Sequence, residues 1–351
     1  MILALRPRGH LWQASLSLAL AALLVLPQAA AASGTQLTTS RAAYWPVFAR
    51  SPQVRSTQTL FWVVIGLCFV ILAIVEVALV IFIFRFRERP GQIGEPPQIY
   101  QNKKLELWWT LIPALMLLGV FVYMVPTMNG LLSIPNNALP ITITGHQWWW
   151  QVDYTSLGVN TAEEIHVPAG RPLRFTLVSA DVVHNFWIPV LGGKEQLIPG
   201  ITNTWNFTPD RPGVYDGECS EYCGVGHAWM RLKLVAQPLA QFNAWVAAQR
   251  APANPLTTPR ARQAAGLFEA EACSQCHTIR GLSQATGIVG PDLTHIGSRS
   301  TIGAGRLDNT QANLTSWIRD AQALKPGSYM PNLHLDEQQA SALATWLETL
   351  K

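Results

Sequence analysis

Two long apolar stretches constrain the fold of this chain more than any other feature. Residues 60–84 are apolar apart from Glu76, and residues 107–125 form a second apolar run that is followed by Pro126. At about 1.5 Å of rise per helical residue, each stretch can cross the roughly 30 Å of hydrocarbon in a bilayer. Only a helix satisfies its own backbone hydrogen bonds as a single segment in lipid. The sequence therefore predicts a hairpin of two transmembrane helices.

Charge predicts how this hairpin is oriented. The connecting loop, residues 85–106, carries five basic residues, namely Arg85, Arg87, Arg89, Lys103 and Lys104. Basic loops stay on the cytoplasmic side of a membrane. Both ends of the hairpin, including everything that follows residue 125, are therefore expected on the opposite side.

The first 32 residues favour a signal peptide. Arg6 and Arg8 precede a short apolar run that ends in a stretch of small residues, which is the arrangement of a secretory signal. A first membrane span is the alternative. Residues 33–59 are then expected to form an extracytoplasmic segment.

Hydrophobic residues make up 49% of the chain and charged residues only 13%, and the net charge of +4 gives no reason to expect nucleic acid as a partner.

After the second span the pattern changes to short alternating runs. Residues 136–237 contain runs such as 141–144 and 231–235, separated by turn signals such as Pro199-Gly200 and Pro212-Gly213. Alternation with this punctuation is typical of an all-β sandwich or barrel. We therefore expect an all-β domain here.

A cluster of soft ligands lies in this β domain. Cys219, Cys223, His227 and Met230 fall within twelve residues, and His184 follows a strand-like run. Thiolate, thioether and imidazole together favour copper, and a second thiolate suggests that both sulfurs bridge a pair of coppers. A Cys2His2 zinc site, which would not use Met230, and a disulfide between the cysteines are the alternatives.

Residues 238–261 are predicted to be a linker, because proline and small residues dominate 250–260. Beyond it the pattern is helical over residues 262–351. There Cys273, Cys276 and His277 form the signature for covalent attachment of c-type haem. Met330 is the only methionine after Met230 and is the expected second axial ligand of iron. His295 and His334 are the rival ligands.

These motifs resemble a known family. The cluster, His184 and residues 145–150 together resemble subunit II of the haem-copper cytochrome c oxidases over about residues 55–236, and residues 262–351 are similar to a small class I cytochrome c. The resemblance implies a multidomain membrane protein with a two-helix transmembrane hairpin, an all-β cupredoxin-like CuA domain and an all-α cytochrome c domain. It implies that the binuclear CuA centre is held by His184, Cys219, the carbonyl of Glu221, Cys223, His227 and Met230.

The resemblance also assigns further roles. It implies that the Glu221 side chain binds a magnesium ion at the interface with subunit I. It implies that Trp148 is a surface tryptophan through which electrons enter CuA, and that Glu106 lies at the entrance of a proton channel. The Pro291 carbonyl would accept a hydrogen bond from the proximal His277 and so orient its ring.

By the same resemblance the chain is expected to pass electrons from haem c to CuA and on to subunit I, where oxygen is reduced to water and protons are pumped. Its expected location is the bacterial inner membrane, with the redox domains outside. Expected partners are subunits I and III, membrane lipid, and an electron donor that is a cytochrome c or an upstream complex. A nitric oxide reductase subunit and a copper-delivery factor are the alternatives, whereas quinol oxidases are disfavoured because they lack the copper ligands.

Overall fold

A computed structural model describes residues 48–88, 91, 94, 98–252, 256 and 258–351. The predicted signal peptide, residues 1–32, lies outside the described residues, as does most of the segment 33–59. Two long helices open the described part, α1 at Pro52–Arg85 and α2 at Lys103–Leu132. Both are long and apolar enough to cross a membrane, and the most apolar window of each has none of its residues buried in the protein. Such surfaces are suited to lipid.

Helix boundaries differ from the predicted spans. α1 begins before residue 60, where the Ser51 hydroxyl accepts a hydrogen bond from the Val54 amide and caps the helix. α2 begins at Lys103, capped by the Asn102 side chain. It continues through Pro126 to Leu132, seven residues beyond the apolar run 107–125 that predicted this span. A proline removes one amide donor, and a helix of 30 residues retains enough other hydrogen bonds to continue past it.

The start of α1 is attached to the β domain. The Ser51 hydroxyl donates to the Leu191 carbonyl at 2.6 Å, and the Arg50 amide donates to the Val190 carbonyl at 2.9 Å. Arg55 forms an ion pair with Asp210. These contacts fix the β domain directly at the extracytoplasmic end of the helix hairpin.

Ten strands form the β domain within the described residues, in two sheets with the orders β3-β2-β1-β5-β8 and β4-β10-β9-β6-β7. Their bounds are β1 Leu139–His146, β2 Trp149–Tyr154, β3 Val159–Ala162, β4 Glu164–Pro168, β5 Leu173–Ser179, β6 His184–Trp187, β7 Glu195–Leu197, β8 Asn203–Phe207, β9 Gly213–Cys219 and β10 Arg231–Gln237. β1 pairs in parallel with β5, and β4 with β10, whereas the other paired strands are antiparallel.

Buried and more exposed residues alternate along the strands, and the buried ones form the core between the two sheets. In β1, Leu139, Ile141 and Ile143 are buried while the residues between them are more exposed. Phe175 and Phe186 meet across the interior with ring centroids 5.2 Å apart. The expected cupredoxin-like fold is confirmed, and its rigid sandwich supports the loops at one end.

The predicted linker 238–261 is wrong in its first half, because residues Leu239–Arg250 form helix α3. Phe242 of this helix is buried in the core of the β domain. The Trp245 ring stacks on His166 at 4.4 Å between centroids. Apolar residues at helical spacing here pack against the sandwich, so the sequence that joins the two domains begins only after Arg250.

The C-terminal section is helical, as predicted. Its helices are α4 at Pro259–Ala270, α5 at Cys273–Cys276, α6 at Gln311–Arg319, α7 at Ala321–Leu324 and α8 at Glu337–Leu347, and a two-residue hairpin pairs β11 at Thr301–Ile302 with β12 at Leu307–Asp308. α4 and α8 pack together through Phe268 and Trp346, whose rings meet edge to face at 5.7 Å. A second apolar core, separate from that of the sandwich, therefore supports this domain.

Candidate metal centre and haem site

The loop between β9 and β10 carries a dense cluster of soft ligand atoms. Cys223 Sγ lies 3.8 Å from Cys219 Sγ, 3.7 Å from His227 Nδ1 and 3.9 Å from Met230 Sδ. A backbone hydrogen bond from Cys219 to Met230, at 2.9 Å, closes the loop at its base. Both cysteines and Met230 are buried. The structure thus brings together four side chains that the sequence placed in one cluster.

His184 comes from a different part of the chain and reaches the same point. It begins β6, which pairs with β9 so that Phe186 lies opposite Cys219. One ligand atom each from His184, Cys219 and Cys223 lie within 4.8 Å of one another. The strand pairing therefore delivers the second imidazole to the thiols.

The His184 ring is oriented by a carboxylate. Its Nε2 is 2.8 Å from Asp181 Oδ1, while its Nδ1 is buried and has no hydrogen-bond partner among the described residues. Burial lowers the pKa of His184, but the nearby Cys219 sulfur and the Asp181 carboxylate raise it above its ordinary value overall. A fixed Nε2–H···carboxylate bond leaves Nδ1 as the metal-binding atom. Asp181 was missed by the sequence reasoning, although a carboxylate three residues before a ligand histidine is a usable signal.

The two thiols lie close enough to affect each other's pKa. A hydrogen bond from Cys223 lowers the pKa of Cys219, whereas the same bond, together with burial, raises the pKa of Cys223. Such a pair titrates as a unit, and a metal ion bound here would need both sulfurs in the thiolate form. The carbonyl oxygen of Glu221 lies 3.2 Å from Cys219 Sγ and adds an oxygen donor.

This donor set fits copper. Two thiols, two imidazoles and a thioether are soft or borderline ligands. A zinc site of two cysteines and two histidines would leave the buried Met230 sulfur unused. A disulfide requires about 2.05 Å between sulfurs, and the observed separation is 3.8 Å with both cysteines free.

Trp148 packs directly on the metal loop. Its Nε1 donates to the Cys223 carbonyl at 3.0 Å, and the Gln147 side chain donates to the same carbonyl at 2.7 Å. Trp148 was expected at the protein surface, but only 6% of it is exposed. The expectation is wrong because the C-terminal domain covers this tryptophan, with the Tyr329 ring stacked on it at 5.8 Å. The neighbouring Trp150 is fully buried in the sandwich core.

The haem-attachment motif has a suitable local structure. Cys273 and Cys276 lie one turn apart on α5 and are both half-buried. His277 Nδ1 donates to the Pro291 carbonyl at 2.8 Å, and burial lowers the pKa of His277. The ring is therefore neutral with Nε2 free, which is the form that binds iron. A Cβ atom at Gly290 would collide with this ring, so only glycine fits there.

The residues that could serve as a second iron ligand differ in their surroundings. Met330 is half-buried, and its amide donates to the Ser328 hydroxyl at 3.3 Å. His295 is buried with its Nε2 3.1 Å from the Ala251 carbonyl, so that ring atom is already occupied. His334 is exposed and has a positive φ of 56°. The thioether of Met330 is the candidate that fits best.

Two carboxylates with expected roles have ordinary local contacts. Glu106 lies in the first turn of α2, and its Oε1 accepts from the Asn102 amide at 3.3 Å, which is a helix-capping contact. Glu221 Oε2 accepts from the Gln196 side chain at 3.2 Å. The proton-channel role of Glu106 and the magnesium role of Glu221 stay predictions.

Three family models match the chain in succession. They are the cytochrome c oxidase subunit II transmembrane domain at residues 43–129, the cytochrome c oxidase subunit II periplasmic domain at residues 156–237, and cytochrome c at residues 261–351. Together they follow the order of helix hairpin, sandwich and helical domain.

Relatives that span nearly the same architecture are also found. Cytochrome c oxidase subunit 2 of Alkalihalophilus pseudofirmus is 36% identical over 299 residues, covering 81% of this chain and 85% of the relative. Cytochrome c oxidase subunit 2 of Bacillus sp. strain PS3 is 34% identical, covering 76% and 80%. Quinol oxidase subunit 2 of Bacillus cereus is 28% identical over 182 residues, and this match covers only 50% of this chain and 62% of the relative.

Proposed function

The chain belongs to the cytochrome c oxidase subunit II family, and from that premise we propose that it relays electrons from a covalently bound haem c to a binuclear CuA centre and on to subunit I. As a family member it is an electron-transfer subunit of a terminal oxidase, anchored in the membrane with its redox domains on the extracytoplasmic side. It carries copper and haem and associates with subunit I. The alternatives of a nitric oxide reductase subunit and a copper-delivery factor find no support among these relatives.

The observation that carries the proposal is the convergence of ligand atoms at the end of the sandwich. We assign the copper pair to His184, Cys219, the Glu221 carbonyl, Cys223, His227 and Met230. When bound, a copper pair of this kind accepts and releases one electron. Strands β6, β9 and β10 hold these side chains in place, and the burial of His184, Cys219, Cys223 and Met230 keeps water away from them. Both conditions reduce the reorganisation that accompanies a change of charge.

The haem c is assigned to the helical domain. Cys273 and Cys276 would attach it covalently, His277 would bind the iron with its ring fixed by Pro291, and Met330 would be the opposite ligand. With this assignment the copper domain is the sandwich together with α3, residues 139–250, and the cytochrome domain is residues 259–351.

Finer roles complete the proposal. Trp148 passes electrons into the copper pair, which its contact with the Cys223 carbonyl supports. Glu106 serves the entrance of a proton channel, and the Glu221 side chain binds magnesium at the subunit I face. Subunit III is a further partner, and a cytochrome c or an upstream complex supplies the haem with electrons.

Replacement of one thiol tests this proposal. In the assembled oxidase, Cys223→Ser should abolish the near-infrared absorption and the paramagnetic signal of the copper pair, because one sulfur cannot bridge it alone. The haem c band should persist, since Cys273 and Cys276 are untouched, and oxygen uptake should fall by orders of magnitude. Cys68→Ser is the matched control, because Cys68 is exposed on the surface of α1. Near-normal oxygen uptake by Cys223→Ser would contradict the proposal.

A further inference from the structure

The copper and cytochrome domains meet in a specific interface in the described structure. The Arg231 amide, at the start of β10, donates to the Ala304 carbonyl of the cytochrome domain at 3.1 Å. Glu164 of β4 accepts from the Ser300 amide at 2.6 Å and from the Ser300 hydroxyl at 2.5 Å, and also from the Thr301 amide at 3.2 Å. Such directional bonds define one relative pose of the two domains.

A buried lysine lies at the centre of this interface. Lys325 belongs to the cytochrome domain, is only 4% exposed, and donates through Nζ to the Trp148 carbonyl at 2.6 Å and to the Gly303 carbonyl at 3.0 Å. Lysine is almost never buried to this degree without partners. One of its two acceptors lies in the copper domain, so its ammonium group bridges the domains next to the metal loop.

Other buried residues with ionisable side chains lie near this ammonium group. Glu163 and Glu164 of the copper domain are buried, as is Arg299 of the cytochrome domain. Burial raises the pKa of Glu163, while the charges of Lys325 and Arg299 oppose that rise. Glu163 of the copper domain therefore lies close enough to two cations of the cytochrome domain to feel their charge, and separating the domains would remove these cations from Glu163 and the Ser300 and Thr301 bonds from Glu164.

The same pose covers Trp148 with a short segment of the cytochrome domain. Tyr329 stacks on Trp148 and donates its hydroxyl to Gln147 Oε1 at 2.8 Å. A Cβ at Gly327, which has a φ of +85°, would lie 3.0 Å from the Trp148 ring and would collide with Val225. The residue after Tyr329 is Met330, the assigned haem ligand. The segment that carries this ligand thus rests on the tryptophan that contacts the metal loop.

We propose that Lys325 is a positioning residue that locks the cytochrome domain over Trp148, and that this locked pose is the one in which the two domains exchange an electron. The proposal rests on the proposed function. In each exchange haem c would lose one electron and the copper pair would gain it. No proton would be transferred, and no bond would be formed or broken. Electron tunnelling weakens steeply with distance, so a fixed contact between Tyr329 and Trp148 keeps the transfer fast. In this pose Trp148 is covered by the cytochrome domain of the same chain.

Hydrogen exchange in the assembled oxidase tests the lock without relying on turnover. The amides of Arg231, Ser300 and Thr301 are protected by bonds that cross the interface. In Lys325→Met their protection should fall by about tenfold or more, while amides within α8 keep theirs, since removal of one partner of a buried charged contact mainly accelerates separation. Lys351→Met is the matched control, because Lys351 is an exposed lysine of the same domain.

Electron transfer between the domains is the second measurement. After rapid reduction of haem c, the copper pair in the wild type should be reduced at a rate that does not depend on solvent viscosity. In Lys325→Met the rate should fall by about tenfold and become viscosity-dependent, because the tethered domain must find its pose again for each transfer. The haem potential should be unchanged. Glu164→Ala removes the Ser300 and Thr301 contacts from the copper side and should act in the same direction, which covers the case in which Lys325→Met fails to fold.

Three results would contradict the proposal that Lys325 locks the two domains together. They are unchanged protection in both variants, lost protection with a wild-type transfer rate, and a shifted haem potential that accounts for the slower rate. A wild-type oxidase in which reduced haem c never reduces the copper pair would instead refute the proposed function, and the role of the pose with it, even if the interface amides were protected.

Discussion

Asp181 provides a sharp test of how the copper ligands are held. Its carboxylate accepts three hydrogen bonds, from His184 Nε2 at 2.8 Å, from the Gln147 amide at 2.6 Å and from the Val182 amide at 2.6 Å. Asparagine has nearly the same shape but offers one oxygen and one NH2 group. In Asp181→Asn at least one of these donors must therefore face another donor, and the His184 ring loses its anionic partner.

The magnitude follows from the kind of contact that is lost. Carboxylate partners of ligand histidines contribute about 10- to 100-fold to metal affinity. That factor corresponds to about 1.4 to 2.8 kcal/mol of binding free energy. The loss should appear in copper binding and leave the haem c spectrum unchanged, because the cytochrome motif is in a separate core.

A competition titration of the copper-free chain with a copper chelator measures this affinity. Asp153→Asn is the matched control, because Asp153 belongs to the same sandwich but accepts its side-chain bonds from Gln151 and Asn160, neither of which is a metal ligand. If Asp181→Asn bound copper within about twofold of the wild type while His184→Ala did not bind it, the carboxylate would have no orienting role. The argument for Nδ1 as the ligand atom would then fail.

Three further predictions concern the two cofactor sites. Met330→Ala should keep haem covalently bound but lower its potential, since a methionine ligand raises it, and redox titration that finds no change would point to His334. Gly290→Ala should displace the His277 ring and weaken the low-spin spectrum of the haem; an unaltered spectrum would contradict the collision seen here. In the copper-free chain, mild oxidation should join Cys219 to Cys223, because their sulfurs are 3.8 Å apart, and mass spectrometry that finds only free thiols would refute this.

The copper cluster could be predicted from sequence because its geometry is local. Cys219, Cys223, His227 and Met230 lie on one loop closed by the pairing of β9 and β10, so spacing along the chain nearly determines their proximity. His184 needed only one strand pairing to join them. Membrane spans and haem attachment are similarly encoded in short continuous stretches.

Features that depend on distant contacts could not be predicted in this way. Lys325 and Trp148 are 177 residues apart in sequence, and nothing around the lysine distinguishes it from a solvated surface cation. The burial of Trp148 and the docking of α3 on the sandwich arise from the same kind of packing between remote segments. Local patterns report which side chains are apolar, but not which surface will cover them.

The covered Trp148 also accounts for a feature of the sequence near it. An oxidase that receives electrons from a separate soluble cytochrome benefits from carboxylates around the entry point, because charge steers a diffusing partner. Asp153 is one of few acidic residues close to residues 145–150 in the sequence. A tethered domain is already present at an effective concentration of about millimolar, so it gains little from long-range steering and needs short-range complementarity instead. The interface supplies this complementarity through Lys325, Glu164 and the stacked Tyr329. Electrostatic steering is therefore expected to matter only on the face of the cytochrome domain that binds its own electron donor.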